Sequence, residues 1–300
     1  MKKILLDGDF NFTDEQKARL EAVGSLENLE MITTDEEWLD KVKGYDVICT
    51  WGDHVMPNLA KLENVLVTYP YTELGSFNSD ELAKNNVYVA NAQGGNRKSI
   101  VEWTVFMVLS LYRQFPKFLR TVEQYPFTST ESVEGKNVLV VGHGTIGTEA
   151  GDRMSAFGMN VSYFNRGDDL ISKARVADVV INALNCNASS KNLLNADFFA
   201  SMKHGAFYVT FARPYTYDID GLIKAIENEI VGGAAIDCDP EPLFDISNEF
   251  YKKCMTNEKI LVTPHVAGIT KQAADNGIEI LVQNVESYLN GNPKNILSKS

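Results

Sequence analysis

Cysteine is scarce and scattered. The four residues, Cys49, Cys186, Cys238 and Cys254, form no CxxC pair and no metal-ligand spacing, which argues against a disulfide framework and against a metal site. They read as reduced, mostly buried thiols of an intracellular, cytoplasmic protein. Positive charge is in deficit as well, with 28 Lys and Arg against 40 Asp and Glu and a formal net charge of -12. That balance speaks against a nucleic-acid surface and an anionic membrane partner, while leaving room for a local basic pocket. No apolar run is long enough to span a bilayer. The nearest, Ser99 to Tyr112, is too short and contains Glu102. The opening MKKILL starts like a secretion signal, but Asp7 and Asp9 end its apolar run. Internal repeats and low-complexity tracts are missing too.

What is present is a long, ordinary globular composition. Three hundred residues, 44% hydrophobic and 23% charged, exceed what one core usually organises, so two domains are expected. Short Val- and Ile-rich runs alternate with amphipathic stretches: KILLDG near 3–8, LEMIT near 29–33, YDVICT near 45–50, NVLVTY near 64–69 and VYVAN near 87–91. That alternation predicts a parallel sheet. Helical links are clearest over Asp14 to Val23 and Ser79 to Asn85, with N-caps at Thr13 or Asp14 and at Asn78 or Ser79. The segment 99–112 is apolar nearly all round, which suits either an internal core helix or one buried between domains or at a dimer interface. A second series of six runs begins at Asn137: NVLVVG, VSYF, DVVINAL, AFYVTF, GGAAID and ILVTPH. It predicts a six-stranded doubly wound sheet. The fold class is therefore α/β, with two doubly wound parallel-sheet domains, one over 1–98 plus 271–300 and the other over 99–270.

Between NVLVV and a helical stretch lies GHGTIG, residues 142–147. Glycines there permit a tight turn and close backbone approach, and the following helix offers free N–H groups to a pyrophosphate. The motif alone is weak; the strand before it and the helix after it give it weight. His143 inside it reads as a solvent-facing or capping residue. An acidic residue at the end of the next strand would bind the ribose hydroxyls of NAD, whereas an Arg accommodates a 2'-phosphate. VSYF ends in Asn165 and Arg166, which favours NADP(H) over NAD(H), although Asp168 and Asp169 follow closely enough to turn back towards a ribose.

Three polar residues stand at or beyond the ends of late strands: Arg213, Glu241 and His265. Singly, each has a plain structural explanation: a loop brace, a turn residue, a satisfied core histidine. Together they match hydride transfer at a 2-hydroxy acid. A His can exchange the proton at neutral pH, a carboxylate can orient its ring, and a guanidinium can hold a substrate carboxylate.

The segments VYVANAQGGNRKSIVEW, EGKNVLVVGHGTIG, ADFFASMKHGAFYVTFAR, GGAAIDCDPEPL and ILVTPHVAGIT resemble, in order and spacing, the D-isomer-specific 2-hydroxyacid dehydrogenases. The resemblance runs over nearly the whole chain. It implies a flavodoxin-like substrate domain, an inserted Rossmann cofactor domain and a C-terminal helix returning to the first domain. It also implies that Arg213 binds substrate, Glu241 orients the histidine and His265 is the acid/base. The implied cofactor contacts are Gly142, His143, Gly144, Thr145, Ile146, Gly147, Asn165, Arg166, Leu184, Asn185, Ala212, Arg213, Asp237, His265 and Gly268, with Asp237 near the nicotinamide carboxamide. Family members are usually homodimers joined through their cofactor domains.

The chain departs from the family in three places. The substrate loop, where glycine is usual, reads Thr68-Tyr-Pro-Tyr-Thr-Glu73, with Tyr71 in place of a glycine. Trp51, Tyr69 and Tyr71 would give it an aromatic lining, or else simply pack the domain; Thr72 and Gly94 complete the expected substrate side. Pro214 replaces a common glycine and stiffens the loop after Arg213. The segment from Asp237 to Glu241 is one residue short, which weakens the relay if Glu241 moves away from His265. The reading is a 2-ketoacid reductase or 2-hydroxy acid dehydrogenase. The alternative is a nucleotide-sensing binding protein of the same fold.

Overall fold

The computed structural model describes residues 1–29, 34–52, 54–72, 77–120, 129–238 and 247–297. The chain divides into two compact units, Met1–Asn96 with Thr270–Ser300, and Arg97–Ile269.

In the first unit the strands are β1 (Lys3–Asp7), β2 (Ser25–Asn28), β3 (Val47–Thr50), β4 (Leu66–Thr68) and β5 (Tyr88–Ala90). They form one sheet in the order β2-β1-β3-β4-β5, and every pairing in it is parallel. This is the flavodoxin-like order. Its helices other than α3 (Val55–Asn58) begin where the sequence supplies caps. For α1 (Asp14–Val23), the Thr13 hydroxyl accepts from the Gln16 N–H while the Gln16 side chain accepts from the Thr13 N–H, a reciprocal pair that satisfies two orphan donors. Three more helices follow, α2 (Asp35–Lys41), α3 (Val55–Asn58) and α4 (Ser79–Lys84); Thr34 caps the first and Asn78 the last.

The second strand starts earlier than the apolar run suggested. It lies at Ser25–Asn28, ahead of the expected run at 29–33, of which residues 30–33 fall outside the described residues. It is an edge strand with one neighbour and no fully buried residue, so its pairing needs no apolar run.

The second unit opens with α5 (Arg97–Tyr112) and α6 (Phe115–Arg120). Ile100, Trp103, Met107, Val108 and Leu111 of α5 are buried with Val138, Val140, Val179 and Val209, so the helix packs the core of its own unit. Its strands are β6 (Asn137–Val141), β7 (Asn160–Phe164), β8 (Val179–Asn182), β9 (Ala206–Thr210), β10 (Val231–Asp237) and β11 (Ile260–Thr263). They form a fully parallel sheet in the order β11-β10-β9-β8-β6-β7. Between them run α7 (Thr145–Ala156), α8 (Leu170–Ala174), α9 (Ala196–Ser201), α10 (Ile219–Glu227) and α11 (Glu249–Thr256). Among the described residues no strand pairs with the outer side of β7, because the chain crosses from Phe164 through α8 straight to β8 beside β6. The winding therefore reverses at β6, and the crevice between β6 and β8 is the switch point where open sheets bind ligands.

The chain then returns to the first unit with α12 (Lys271–Leu289), capped by Thr270. Leu281, Val282 and Val285 pack on Ile4, Val47 and Leu66. Asn284, fully inside, donates to Thr68 Oγ1 at 3.2 Å and to the Asn91 carbonyl at 3.0 Å. No helix among the described residues is long and apolar enough to cross a membrane.

Candidate functional site

Because every strand pair in the second unit is parallel, the C-terminal strand ends share one edge. That edge carries His265 after β11, Asp237 at the end of β10, Ala212 and Arg213 after β9, Leu184 and Asn185 after β8, the glycine turn after β6, and Asn165 and Arg166 after β7. At about 4.8 Å per strand, the two ends lie roughly 24 Å apart. The sequence separated these residues by more than 120 positions; parallel pairing alone lines them up.

The glycine turn is built by close contact. Gly142 has φ +111, and a Cβ there would lie 2.4 Å from the Ala183 carbonyl oxygen. A Cβ on Gly147 would lie 2.0 Å from the Gly142 oxygen, so the third glycine lets α7 sit against its strand. Gly144, by contrast, faces open space and is the N-cap of α7 with no side-chain cap bond. The first intrahelical bond runs from the Thr148 N–H to the Gly144 carbonyl at 2.9 Å. The N–H groups of Thr145, Ile146 and Gly147 thus lack intrahelical acceptors and face the end where the helix dipole favours an anion. A cradle closed to side chains within, open at Gly144 and lined by N–H groups fits the pyrophosphate of a dinucleotide. His143 is exposed, stacks on Tyr163 with centroids 4.0 Å apart, and meets Asn165 Oδ1 through Nδ1 at 3.2 Å.

Beyond β7, Arg166 is exposed and touches Ser189 Oγ at 3.4 Å. The two nearby acids are engaged elsewhere. The Asp168 carboxylate accepts the Asn165 N–H at 2.9 Å and pairs with Lys173 at 3.3 Å, and that backbone bond above all holds its pKa below the usual carboxylate range. Asp169 caps α8 through the Ser172 N–H and hydroxyl, which lower its pKa likewise.

At the chemical end, Arg213 is half-buried and leads into a short 3-10 helix, Pro214–Thr216. Its carbonyl accepts from the Thr216 N–H and hydroxyl, so Pro214 starts a stiff turn that fixes the arginine's backbone. Ala212 is buried, its N–H donating to Thr210 Oγ1. His265 is half-buried with φ +55, a left-handed conformation that costs a non-glycine residue about 1 kcal/mol or more and persists only where neighbours enforce it. The buried Asp237 carboxylate does so, accepting from the Thr263 hydroxyl at 2.5 Å, the Val266 N–H at 2.9 Å and the Ala267 N–H at 2.8 Å. Gly268 follows in the same loop. Glu241 lies outside the described residues, as does Glu73.

Sequence reasoning missed Asn182. It is fully buried at the end of β8, donates to the Tyr208 hydroxyl at 2.9 Å and to Thr216 Oγ1 at 3.0 Å, and accepts the Leu184 N–H at 3.2 Å. It therefore ties the Leu184–Asn185 loop to the turn that carries Arg213. A lone amide closing the apolar run VVIN was the available signal.

In the first unit, Tyr69 at 0% exposure belongs to the core, the packing alternative the sequence left open, with Tyr71 packed on it at 4.8 Å between centroids. Trp51 remains 42% exposed, stacked between Phe10 at 5.3 Å and Tyr71 at 6.4 Å. The Tyr71 hydroxyl donates to the Trp51 carbonyl, and the Thr72 carbonyl accepts from Asn91 at 2.7 Å. Gly94, with φ +84, opens onto empty space. Among the described residues no cluster of His, Cys, Asp and Glu could hold a metal ion.

A parallel sheet with this cradle at its switch point defines a dinucleotide-binding α/β protein. Residues 105–267 match the family model described as the D-isomer specific 2-hydroxyacid dehydrogenase, NAD binding domain. The chain belongs to the D-isomer-specific 2-hydroxyacid dehydrogenase family. A D-lactate dehydrogenase of Staphylococcus epidermidis is 26% identical, with 93% of this chain and 94% of that protein covered. Among solved structures, an acyclic imino acid reductase in complex with NADPH and D-Arg superposes with a TM-score of 0.82 at 17% identity, covering 99% of this chain and 100% of that one. A D-isomer specific 2-hydroxyacid dehydrogenase from Lactobacillus delbrueckii ssp. bulgaricus, in an NAD complexed form, superposes with 0.79 at 20% identity and the same coverage.

Proposed function

We propose that the protein is a cytoplasmic, NADP(H)-linked 2-ketoacid reductase, equally a D-2-hydroxyacid dehydrogenase in the reverse direction. The observation that carries this is His265, held in a left-handed turn by Asp237 on the same sheet edge as Arg213 and the glycine cradle. The second unit is the cofactor domain and the first the substrate domain. Gly142 to Gly147 hold the pyrophosphate, with Leu184, Asn185, Ala212, Asp237 and Gly268 along the rest of the cofactor. When bound, the nicotinamide exchanges a hydride with C2 of the substrate. Arg213 binds the substrate carboxylate and polarises the keto oxygen through its planar fork. His265 delivers the proton to that oxygen in reduction and removes it in oxidation. Glu241 is the residue assigned to orient the imidazole.

The NADP(H) preference rests on Arg166, exposed at the end of β7 while Asp168 and Asp169 are committed to other bonds. Relatives of both kinds exist, one complexed with NADPH and one with NAD. The exposed Trp51 and the tyrosine in the substrate loop favour larger 2-ketoacids. Two such chains pair through their cofactor domains, a unit that leaves Phe106 exposed within α5 and Phe115 exposed at the start of α6; sedimentation at micromolar concentration is expected to show a dimer.

The test is oxidation of NADPH with a panel running from glyoxylate and pyruvate through hydroxypyruvate to aromatic ketoacids. Turnover is expected with at least one, and His265→Ala is expected to lower kcat by about a hundredfold or more. Tight NADPH binding without turnover on any of them, with biological activity untouched by His265→Ala, would establish a nucleotide-sensing protein instead.

A further inference from the structure

We infer that Thr263 and Trp103 are positioning residues for His265, acting through a hydrogen-bonded relay that ends on the two backbone amides after the histidine. This rests on the acid/base reading given above. The relay begins on α5, where the Trp103 indole N–H donates to Thr263 Oγ1 at 3.1 Å. The Thr263 hydroxyl in turn donates to Asp237 Oδ1 at 2.5 Å. Asp237 then accepts the Val266 N–H on Oδ1 and the Ala267 N–H on Oδ2.

The direction is fixed by chemistry. An indole N–H can only donate, and a carboxylate already receiving two backbone N–H groups can only accept. Thr263 is thus left with one arrangement, taking a bond from Trp103 and giving its single proton to Asp237. Turning the hydroxyl takes its proton off Asp237, and a change of side-chain rotamer loses both bonds. The carboxylate is held in turn, and with it the amides that set the backbone of the turn. His265 itself closes the turn from the other side, its N–H donating to the Thr263 carbonyl at 3.1 Å. Thr263 therefore grips the histidine turn twice, once through its backbone and once through Asp237.

Burial makes the relay stiff. Asp237 is 5% exposed and Trp103 9%, and Trp103 shares its core cluster with Ala267, the last residue of the turn. In so dry a setting an unmade hydrogen bond is not replaced cheaply by water. Three elements, α5, β10 and β11, are in this way made to agree on the placement of one imidazole. Trp103 and Thr263 are 160 positions apart in the chain, so neither residue type announces the partnership in the sequence.

Thr263→Val keeps the branched shape that β11 accommodates and removes the hydroxyl; Thr263→Ser keeps the hydroxyl. In the unliganded protein, hydrogen exchange at the Val266 and Ala267 amides is expected to quicken about tenfold in Thr263→Val and to stay at the wild-type rate in Thr263→Ser. In turnover, Thr263→Val is expected to lose about tenfold in kcat, with KM for the 2-ketoacid within about twofold. That is less than the hundredfold that an ångström of misplacement can cost. The solvent deuterium isotope effect on kcat is expected to rise, because proton delivery becomes slower while packing is unchanged. Trp103→Phe, which keeps a buried ring, is expected to show the same pattern at about threefold and reads the relay if Thr263→Val does not fold. Wild-type exchange and isotope effect in Thr263→Val would overturn the proposal, as would equal losses in Thr263→Ser. If His265→Ala retains full turnover, the acid/base reading falls instead, and the amide-exchange result still decides whether the relay exists.

Discussion

At the end of β7, three charged side chains are sorted by what else they can reach. Asp168 is drawn onto its own backbone and Lys173, Asp169 onto the first turn of α8, and Arg166 stands exposed beside Ser189. The sequence showed all three within four positions and favoured Arg166 while leaving the acids open, because a carboxylate that caps a helix looks the same in a string of letters as one that binds a ribose. Replacing Arg166 by Ala is expected to weaken NADPH binding by about tenfold or more, the loss of a charge-assisted contact, and to leave NADH within about twofold. Fluorescence titration with both nucleotides measures this, and equal losses would refute the 2'-phosphate assignment.

Elements were legible wherever local chemistry settles them. The reciprocal cap at Thr13 and Gln16, the Asn78 cap and the strand-turn-helix around Gly142 all lie within a few residues and need no distant partner. β2 was not, since an edge strand is recruited by the open side of β1 and carries little apolar signal of its own. For α5, the apolar surface was evident, but only packing showed that it faces the core of its own unit. The turn into α7 allows a paired test of how the cradle works. Gly147→Ala places a methyl group 2.0 Å from the Gly142 oxygen and is expected to cost stability by about 1–3 kcal/mol as well as nucleotide affinity. Gly144→Ala meets nothing within 4 Å, so the melting temperature should hold within about a degree while NADPH binding weakens. Melting curves with and without nucleotide separate the two, and a Gly144→Ala protein that binds NADPH normally would remove Gly144 from the cradle.

At the scale of the molecule, the first unit is closed by contacts between its two ends. Arg19 of α1 donates to Glu279 and Glu286 of α12 at 2.6–3.1 Å, and both carboxylates hold its pKa up. Burial alone would raise Glu279, but hydrogen bonds from Gln16, Arg19 and Gln283 outweigh it and the pKa falls below its ordinary value. A lowered carboxylate contributes stability in full above its unfolded pKa of about 4.3, and that contribution disappears as pH drops through the folded value. With side chains about a third exposed, screening limits the pair to roughly 0.5–1 kcal/mol. Glu279→Gln is therefore expected to lower the melting temperature by about 2 °C at pH 7, with the gap to the wild type narrowing as the pH falls below about 4. Thermal melts across that range check it.

The glycine cradle and the strand alternation were determined by the sequence itself, because a tight turn, a capped helix and a buried parallel strand each follow from neighbours in the chain. The same holds for Arg213 and His265 as candidates, since each stands just past a recognisable strand. Tertiary structure alone decided that Tyr69 is core while Trp51 stays open to solvent, and that Trp103 reaches Thr263. Those outcomes depend on which side chains from distant segments share a desolvated space. A linear pattern holds no record of such meetings until the sheets have formed.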